Sequence, residues 1–387
     1  MRALGICSGT SFDAVEALVV DFDLDAASGV LEATLVEHRS VPYPPSVRDS
    51  IAVALPPAPT TLEAVCQLDV AIGQAFAAVA GDVALVHGPL DVICSHGQTV
   101  FHWVEGRVAK GSLQLGEPAW IAEQTGATVV SNVRNRDISA GGQGAPLASL
   151  LDVLLLASRS DITTGSLNLG GISNVTVIRP GQEPLAWDTG PANALIDAAT
   201  EWVSEGREHY DRGGALAREG RADPSLVERL LDDPYFSLPP PKSTGKELFN
   251  LGYLVSRLGD EQYEARDLLA SITAATAESI GAALRPYDLS ELFVAGGGTR
   301  NPTFMDELRK RLPGVEVRGT AQLGVPEAAK EALLFALIGF FTVCGFPATI
   351  PSCTGATHSC VLGSITPGSS PLPPAPGGPA PTRLVVR

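Results

Sequence analysis

The sequence predicts an α/β protein built from two similar domains, and three observations carry that expectation. The chain has 387 residues, 45% hydrophobic and 18% charged, enough apolar material for two or three domain cores. An apolar strand, a Gly turn and a second strand occur twice, near residues 3–22 and 166–178. Each hairpin is followed by alternating helical and strand patterns, so the second half restarts the first. The expected boundary lies near residue 160, giving a first domain over 1–160 and a second over 161–365, with a crossing of the helix 326–343 back to the first domain left open. The Pro/Gly/Ser-rich tail 366–387 is expected to be disordered. A cleft between two such domains is the expected ligand site.

The elements follow in order. Ala3–Cys7 is an apolar run ending in the turn cluster Ser8-Gly9-Thr10-Ser11, and Ala14–Phe22 and Leu31–Arg39 continue as strands. Leu62, Val65, Leu68, Ala71 and Ile72 recur at helical spacing and predict a helix over Thr60–Ala80. Leu90–Cys94 reads as a short buried strand running into a loop, Ser95-His96-Gly97-Gln98-Thr99. A helix over Pro118–Gln124, a strand over Ala127–Ser131 and a helix over Ala145–Ala157 complete the first half. In the second half, strands Ser166–Leu169 and Ile172–Ile178 flank Gly170-Gly171. Ala186–Asp188 leads into Thr189-Gly190-Pro191 and a helix over Ala192–Trp202. Residues 205–255 read as irregular, with one helix near Ser225–Leu231. Asp267–Leu284 is a long helix, Leu292–Ala295 a strand before Gly296-Gly297-Gly298, and Pro302–Arg311 a helix. The uncharged stretch from Ala332 to Ile350 contains Gly339, Gly345 and Pro347. It reads as a buried helix over Pro326–Val343 rather than a membrane span, which needs about 20 unbroken apolar residues.

Charge narrows the function. Lys plus Arg total 27 against 43 Asp plus Glu, a net charge of −16. Nucleic acid and anionic membrane are poor partners for such a surface. A phosphorylated ligand then needs backbone N–H groups or a metal for its positive potential. Cys7, Cys66, Cys94, Cys344, Cys353 and Cys360 are scattered without CxxC spacing, as expected of reduced thiols in the cytoplasm. No charged segment followed by a long apolar run opens the chain, so no signal peptide is expected.

Three Gly turns follow apolar strands: Gly5-Ile-Cys-Ser-Gly-Thr-Ser-Phe-Asp13, Asn168-Leu-Gly-Gly-Ile-Ser-Asn174 and Ala295-Gly-Gly-Gly-Thr-Arg-Asn301. Gly lets backbone amides approach phosphate oxygens, and Ser/Thr hydroxyls add donors. There is no GxxxxGK[ST] motif. The arrangement resembles the superfamily of actin, sugar kinases and heat-shock ATPases, whose two ribonuclease-H-like domains flank a nucleotide cleft. Seven motifs in order make the resemblance narrower: Ser8-Gly-Thr-Ser-Phe-Asp13, Ser95-His-Gly-Gln-Thr99, Arg134-Asn-Arg-Asp137 with Gly141-Gly-Gln-Gly-Ala-Pro-Leu147, Asn168-Leu-Gly-Gly-Ile-Ser-Asn174, Asp188-Thr-Gly-Pro191, Pro240-Pro-Lys-Ser-Thr-Gly245 and Gly296-Gly-Gly-Thr-Arg-Asn301. Over about residues 3–365 the chain is similar to the anhydro-N-acetylmuramic acid kinase family. Cys7, Ala14, Glu16, Asn132-Val133, Ala192 and Ala348 depart from the family's usual residues.

The resemblance implies a reaction and a site. O6 of a 1,6-anhydro sugar sits in an ether bridge and has no proton to give. Water would attack the anomeric carbon, the 1,6 bond would open, and O6 would accept the γ-phosphoryl group of ATP, giving N-acetylmuramic acid 6-phosphate. The implied base is Asp137. Arg134 suits the lactyl carboxylate, and His96, Gln98, Thr99 and Glu331 are implied sugar contacts. Gly9, Thr10, Ser11, Phe12, Asp13, Ala14, Val15 and Glu16 form the implied first ATP loop, Asn168, Gly170 and Gly171 the second, and Gly296, Gly297 and Gly298 the adenosine turn. Asp13 and Asp188 are implied to hold Mg²⁺ through water. Lys242 and Lys246 either reach phosphate or are solvated. A homodimer is implied by the family alone. Two other functions stay open at this point: a conventional sugar kinase acting on a free 6-hydroxyl, and a non-catalytic actin-like nucleotide-binding regulator.

Overall fold

The computed structural model describes all residues except 10, 11, 56, 57 and 107. The chain divides into two compact units, 1–158 with 323–325 and 329–387, and 159–322 with 326–328. The segment 329–365 belongs to the first unit, so the helix after Pro326 is grouped there, the alternative left open by the sequence.

The first unit carries β1 (Arg2–Cys7), β2 (Ala14–Asp25), β3 (Val30–Pro42), β4 (Val92–Ser95), a separate hairpin of β5 (Gln98–Glu105) and β6 (Val108–Leu115), and β7 (Thr128–Ser131). The second carries β8 (Thr164–Leu169), β9 (Ile172–Ile178), β10 (Leu185–Pro191), β11 (Glu291–Ala295) and β12 (Glu316–Gly319). β13 (Ser364–Thr366) and β14 (Arg383–Val386) return to the first unit. Its sheet runs β13-β7-β4-β1-β2-β3-β14, and the second sheet runs β10-β9-β8-β11-β12. Without the two edge strands, both sheets have the same order. An antiparallel three-strand meander is extended on its first strand's other side by two parallel strands. The repeat expected from the hairpins is therefore present in the topology.

Alternation sorts the first sheet's side chains. Leu4, Ile6, Val15, Val19 and Ile93 face the helix Leu62–His87 through Leu68, Ile72, Phe76, Ala80 and Val83. Ala3, Cys7, Leu18, Val20 and Cys94 face the helix Lys330–Val343. That second helix lies so close to β1 that a Cβ on Gly5 would sit 1.8 Å from the Ala332 carbonyl oxygen. The helix Leu62–His87 is long and apolar enough to cross a membrane by length and composition, but one stripe of it is spent on this core. In the second unit the helix Ala265–Leu284 packs on the sheet through Leu268, Leu269, Ile272 and Ile280. All six cysteines are free.

Two expectations need correction. The stretch read as a loop after Ser95 continues into the β5–β6 hairpin, whose Phe101, Trp103 and Leu113 are exposed; without a buried face the strand pattern is weak. The tail expected to be disordered ends in β14, parallel to β3 from Arg383 opposite Val30 to Val386 opposite Ala33, with Leu384 buried. The surrounding Pro and Gly hide this short alternating segment.

Candidate active site

In the first unit, the end of β4 and the turn after β7 bring His96, Arg134 and Asp137 together. The His96 N–H donates to the Ile6 carbonyl at 3.0 Å, and its ring stacks on Phe335 with centroids 4.5 Å apart. Arg134 Nε donates to His96 Nε2 at 3.0 Å, and Arg134 Nη1 donates to the Gly144 carbonyl at 2.7 Å. Arginine nitrogens only donate, so His96 Nε2 accepts and its Nδ1 carries the hydrogen toward the Gly97 carbonyl, 3.1 Å away. Burial, and then the Arg134 charge, push the imidazole well below its ordinary pKa.

Asp137, the expected base, is enclosed by protein. Its carboxylate is 0% exposed. Thr354 Oγ1 donates to Oδ1 at 2.7 Å and the Gly144 N–H donates to Oδ2 at 2.7 Å. A Cβ on Gly142 would sit 2.2 Å from Oδ2, so the loop closes on the carboxylate without room for a side chain. Burial raises the carboxyl above its ordinary value, opposed by hydrogen bonds from Thr354, Gly144 and Thr349 and by the Arg134 charge. A general base needs an oxygen that can face its proton. Asp137 instead braces the 134–144 loop that carries Arg134. Thr349 and Thr354 were not visible as partners in the sequence, because more than two hundred residues separate them from Asp137.

Glu331, in the first turn of the helix Lys330–Val343, is exposed, and no hydrogen bond or ion pair holds its carboxylate among the described residues. Protein crowds this water-accessible group nonetheless: desolvation raises its carboxyl, Arg134 and Lys330 pull it down, and Glu16 pushes it up. Beside it, Lys330 makes a buried ion pair with Asp152 at 2.7 Å. Gln98 is buried, and its Nε2 donates to the Gly9 carbonyl at 3.3 Å and the Thr99 carbonyl at 3.2 Å, while Oε1 has no partner among the described residues. Thr99 Oγ1 accepts from Gln114 Nε2 at 3.1 Å.

The described residues of the first loop are only partly open to a ligand. Thr10 and Ser11 lie outside the described residues. The Gly9 carbonyl accepts the Phe12 N–H at 3.1 Å, and a Cβ on Gly9 would meet nothing within 4 Å. Phe12 has φ 45° and packs against the core on the Leu62–His87 side. Asp13 is exposed and pairs with Arg48 at 3.2 Å. Ala14 and Val15 open β2, and the Val15 side chain is in the core. Glu16 accepts from His38 Nε2 at 2.8 Å and Ser40 Oγ at 2.5 Å.

In the second unit, the 170–171 turn rests on the start of the helix Asn193–Val203. The N–H groups of Ala192 and Ala194 donate to the Gly171 carbonyl at 2.9 and 3.0 Å, and that of Asn193 donates to the Gly170 carbonyl at 3.0 Å. Asn193 Nδ2 adds bonds to the Leu169 and Gly170 carbonyls at 3.2 and 2.8 Å. Asn193 went unnoticed in the sequence, although it directly follows the Asp188-Thr-Gly-Pro-Ala run. Gly296 has φ 90°, and a Cβ there would sit 2.6 Å from Asn168 Oδ1, so this glycine and Asn168 pack together. At Gly297 the nearest atom to such a Cβ is 3.6 Å away, leaving Gly297 the more open of these glycines.

Asp188 is 7% exposed, and its Oδ2 accepts the Thr244 N–H at 2.9 Å. The 240–245 loop is pinned there by the Asp188 N–H on the Lys242 carbonyl at 3.0 Å. Lys242 Nζ donates to the Tyr235 and Phe236 carbonyls at 2.9 and 3.2 Å and lies 4.4 Å from the Tyr235 ring centroid. Burial pushes this ammonium down to about 8. Lys242 is therefore spent on the loop, while Lys246 is exposed. Among the described residues no group of three or more His, Cys, Asp or Glu could hold a metal. Mg²⁺ is a hard cation that keeps several waters and takes one or two carboxylates plus substrate phosphates, so it does not require such a group.

A sequence model described as anhydro-N-acetylmuramic acid kinase matches residues 1–368. The chain belongs to the anhydro-N-acetylmuramic acid kinase family. It is 50% identical over 390 residues to the anhydro-N-acetylmuramic acid kinase of Streptomyces coelicolor, covering 100% of this chain and 99% of that one. It is 50% identical over 385 residues to that of Rhodococcus erythropolis, covering 96% of each, and 38% identical over 377 residues to that of Synechococcus elongatus, covering 94% and 99%. Membership makes the chain a kinase, a phosphotransferase with an alcohol group as acceptor and ATP as donor. The family's activity belongs to the recycling of peptidoglycan sugars.

Proposed function

We propose that the chain phosphorylates 1,6-anhydro-N-acetylmuramic acid at O6 while water opens the ring. Family membership across residues 1–368 is the observation that carries this reading. The structure supports it with a guanidinium fixed by His96 and Gly144, suited to the sugar's lactyl carboxylate. Gln98, Thr99 and Glu331 stand as the other sugar-side residues. The first loop (Gly9 to Glu16), Asn168 with Gly170 and Gly171, and Gly296 to Gly298 take the nucleotide, with Val15 limited to its backbone.

The bonds balance as follows. A water oxygen bonds to the anomeric carbon and loses a proton to a base. The bond from that carbon to O6 breaks, O6 bonds to the γ-phosphorus, and ADP leaves. Because Asp137 is enclosed, the base role passes to Asp188 or Glu331. Asp188 is oriented through Oδ2 by Thr244, and orientation by a third group favours a base. Glu331 has a raised proton affinity and is open to water. Mg²⁺, held through water by Asp13 or by Asp188, would neutralise phosphate charge. The net charge of −16 and the need for ATP support a cytoplasmic enzyme without nucleic-acid or membrane partners. The homodimer rests on the family.

The test is ATP incubated with the anhydro sugar, the free sugar or no sugar, reading sugar phosphate and ADP. Phosphate transfer to the anhydro sugar is expected. Preference for the free sugar would make it a conventional kinase, and nucleotide binding without transfer a regulator. Asp188→Asn and Glu331→Gln, compared at saturating substrates, separate the two candidate bases.

A further inference from the structure

We propose that His96 is a positioning residue for Arg134 and makes no polar contact with the sugar. The proposal deepens the reading above and rests on Arg134 as the group that holds the substrate's carboxylate. Both ring nitrogens of His96 are already engaged, Nδ1 with the Gly97 carbonyl at 3.1 Å and Nε2 with Arg134 Nε at 3.0 Å. One ring face is covered by Phe335, and the residue is 7% exposed. No polar edge is left for a hydroxyl or an amide of the sugar.

The geometry gives the imidazole a definite task. An arginine side chain has several rotatable bonds, and its fork binds a carboxylate well only when the guanidinium plane is set in advance. His96 fixes the shaft at Nε, and the Gly144 carbonyl fixes one arm at Nη1, 2.7 Å away. Two bonds to different atoms of one rigid plane determine its orientation. The histidine is itself held by its backbone bond to β1 and by the Phe335 stack. A neutral acceptor is required here, since a protonated ring would place N–H against N–H.

A double-mutant cycle tests this. Leu at position 96 keeps an apolar body and removes the acceptor. In H96L the KM for the anhydro sugar should rise about tenfold, the scale of losing one hydrogen bond to a charged group, with the KM for ATP unchanged. In an R134A background the same change should cost nothing further. Additive losses would overturn the proposal, because His96 would then act on the sugar directly. An R134A variant with an unchanged sugar KM would show instead that the reading of Arg134 itself has failed. Should Leu prevent folding, Gln and Asn carry the same test. Gln offers an oxygen near the Nε2 position and should stay within about threefold of the parent. Asn offers one nearer Nδ1 and should show the full tenfold rise. Equal effects of Gln and Asn would overturn the proposal.

Discussion

Asp137 lies in the short helix Asn135–Ser139 of the first unit and Asp188 in β10 of the second, and their surroundings differ. Asp137 is enclosed, with Thr354 and Gly144 donating to its two oxygens. Asp188 lies within β10, its Oδ2 accepts the Thr244 N–H, and it is 7% exposed. A carboxylate's role follows from its donors and its access, which short motifs do not specify. The enclosed aspartate is suited to holding a loop, and the aspartate of β10 is the one proposed for chemistry.

The largest expected effect breaks or keeps that contrast. Asp188→Asn preserves shape and removes charge, so turnover should fall by roughly 10²–10⁴, the range for losing a positioned base. Unfolding midpoints should move little. Steady-state kinetics beside denaturant melts measure both. Turnover within a few-fold of the parent would leave Glu331 as the base.

Asp137→Asn should show the reverse pattern. An amide cannot accept from both Thr354 and Gly144 as the carboxylate does, so one buried donor loses its partner, at about 1–3 kcal/mol of stability. The denaturant midpoint should drop, and turnover of the folded fraction should fall far less than in Asp188→Asn. A collapse of turnover at unchanged stability would return the base role to Asp137.

How far this was legible in the sequence depends on range. The paired hairpins, the strand Ile172–Ile178 and the helix Pro302–Arg311 follow from local pattern, and the structure has the last two at those bounds. The Gly turns could be placed, but their supports could not. The 170–171 turn leans on backbone amides of 192–194, and the Gly9 carbonyl on a side chain 89 positions away. Asp137 looked catalytic because its motif is dense in Arg and Gly. The threonines that enclose it arrive from a segment about two hundred residues later, and nothing local announces them. The β5–β6 hairpin was missed because a strand with no buried face carries no alternation.

The two turns sharpen the comparison at smaller scale. Asn193→Ala removes bonds to two carbonyls of the second turn, whereas Gln98→Ala removes one to the first. If both turns carry phosphate, the KM for ATP should rise about tenfold in Asn193→Ala and about threefold in Gln98→Ala, on the scale of one or two net hydrogen bonds. An unchanged KM for ATP in either variant would remove that turn from the nucleotide site.

The smallest expected effect is a pair of opposite pH slopes. Asp137 has a carboxyl raised by burial, whereas Glu37 on β3 is lowered to about 2 from 4.5 by Arg39 first and then His87. Stability rises with pH wherever the unfolded chain binds more protons than the folded one. For Glu37 that window lies between 4.5 and about 2, so its contribution is present above 4.5 and is lost as the pH falls toward 2. For Asp137 the folded state holds its proton to higher pH than the unfolded chain does. Its contribution therefore falls as pH rises from the ordinary carboxylate range through the raised value. Melting curves of the parent, Glu37→Gln and Asp137→Asn between pH 3 and 7 should separate the two. The advantage of the parent over Glu37→Gln should shrink toward the acid end, and its advantage over Asp137→Asn should grow there. Glu37 lies at the surface, where salt screens its partners, so added salt should flatten its slope first. A common slope for both variants would mean that enclosure does not distinguish these carboxylates, and the contrast drawn from Asp137 would lose its physical basis.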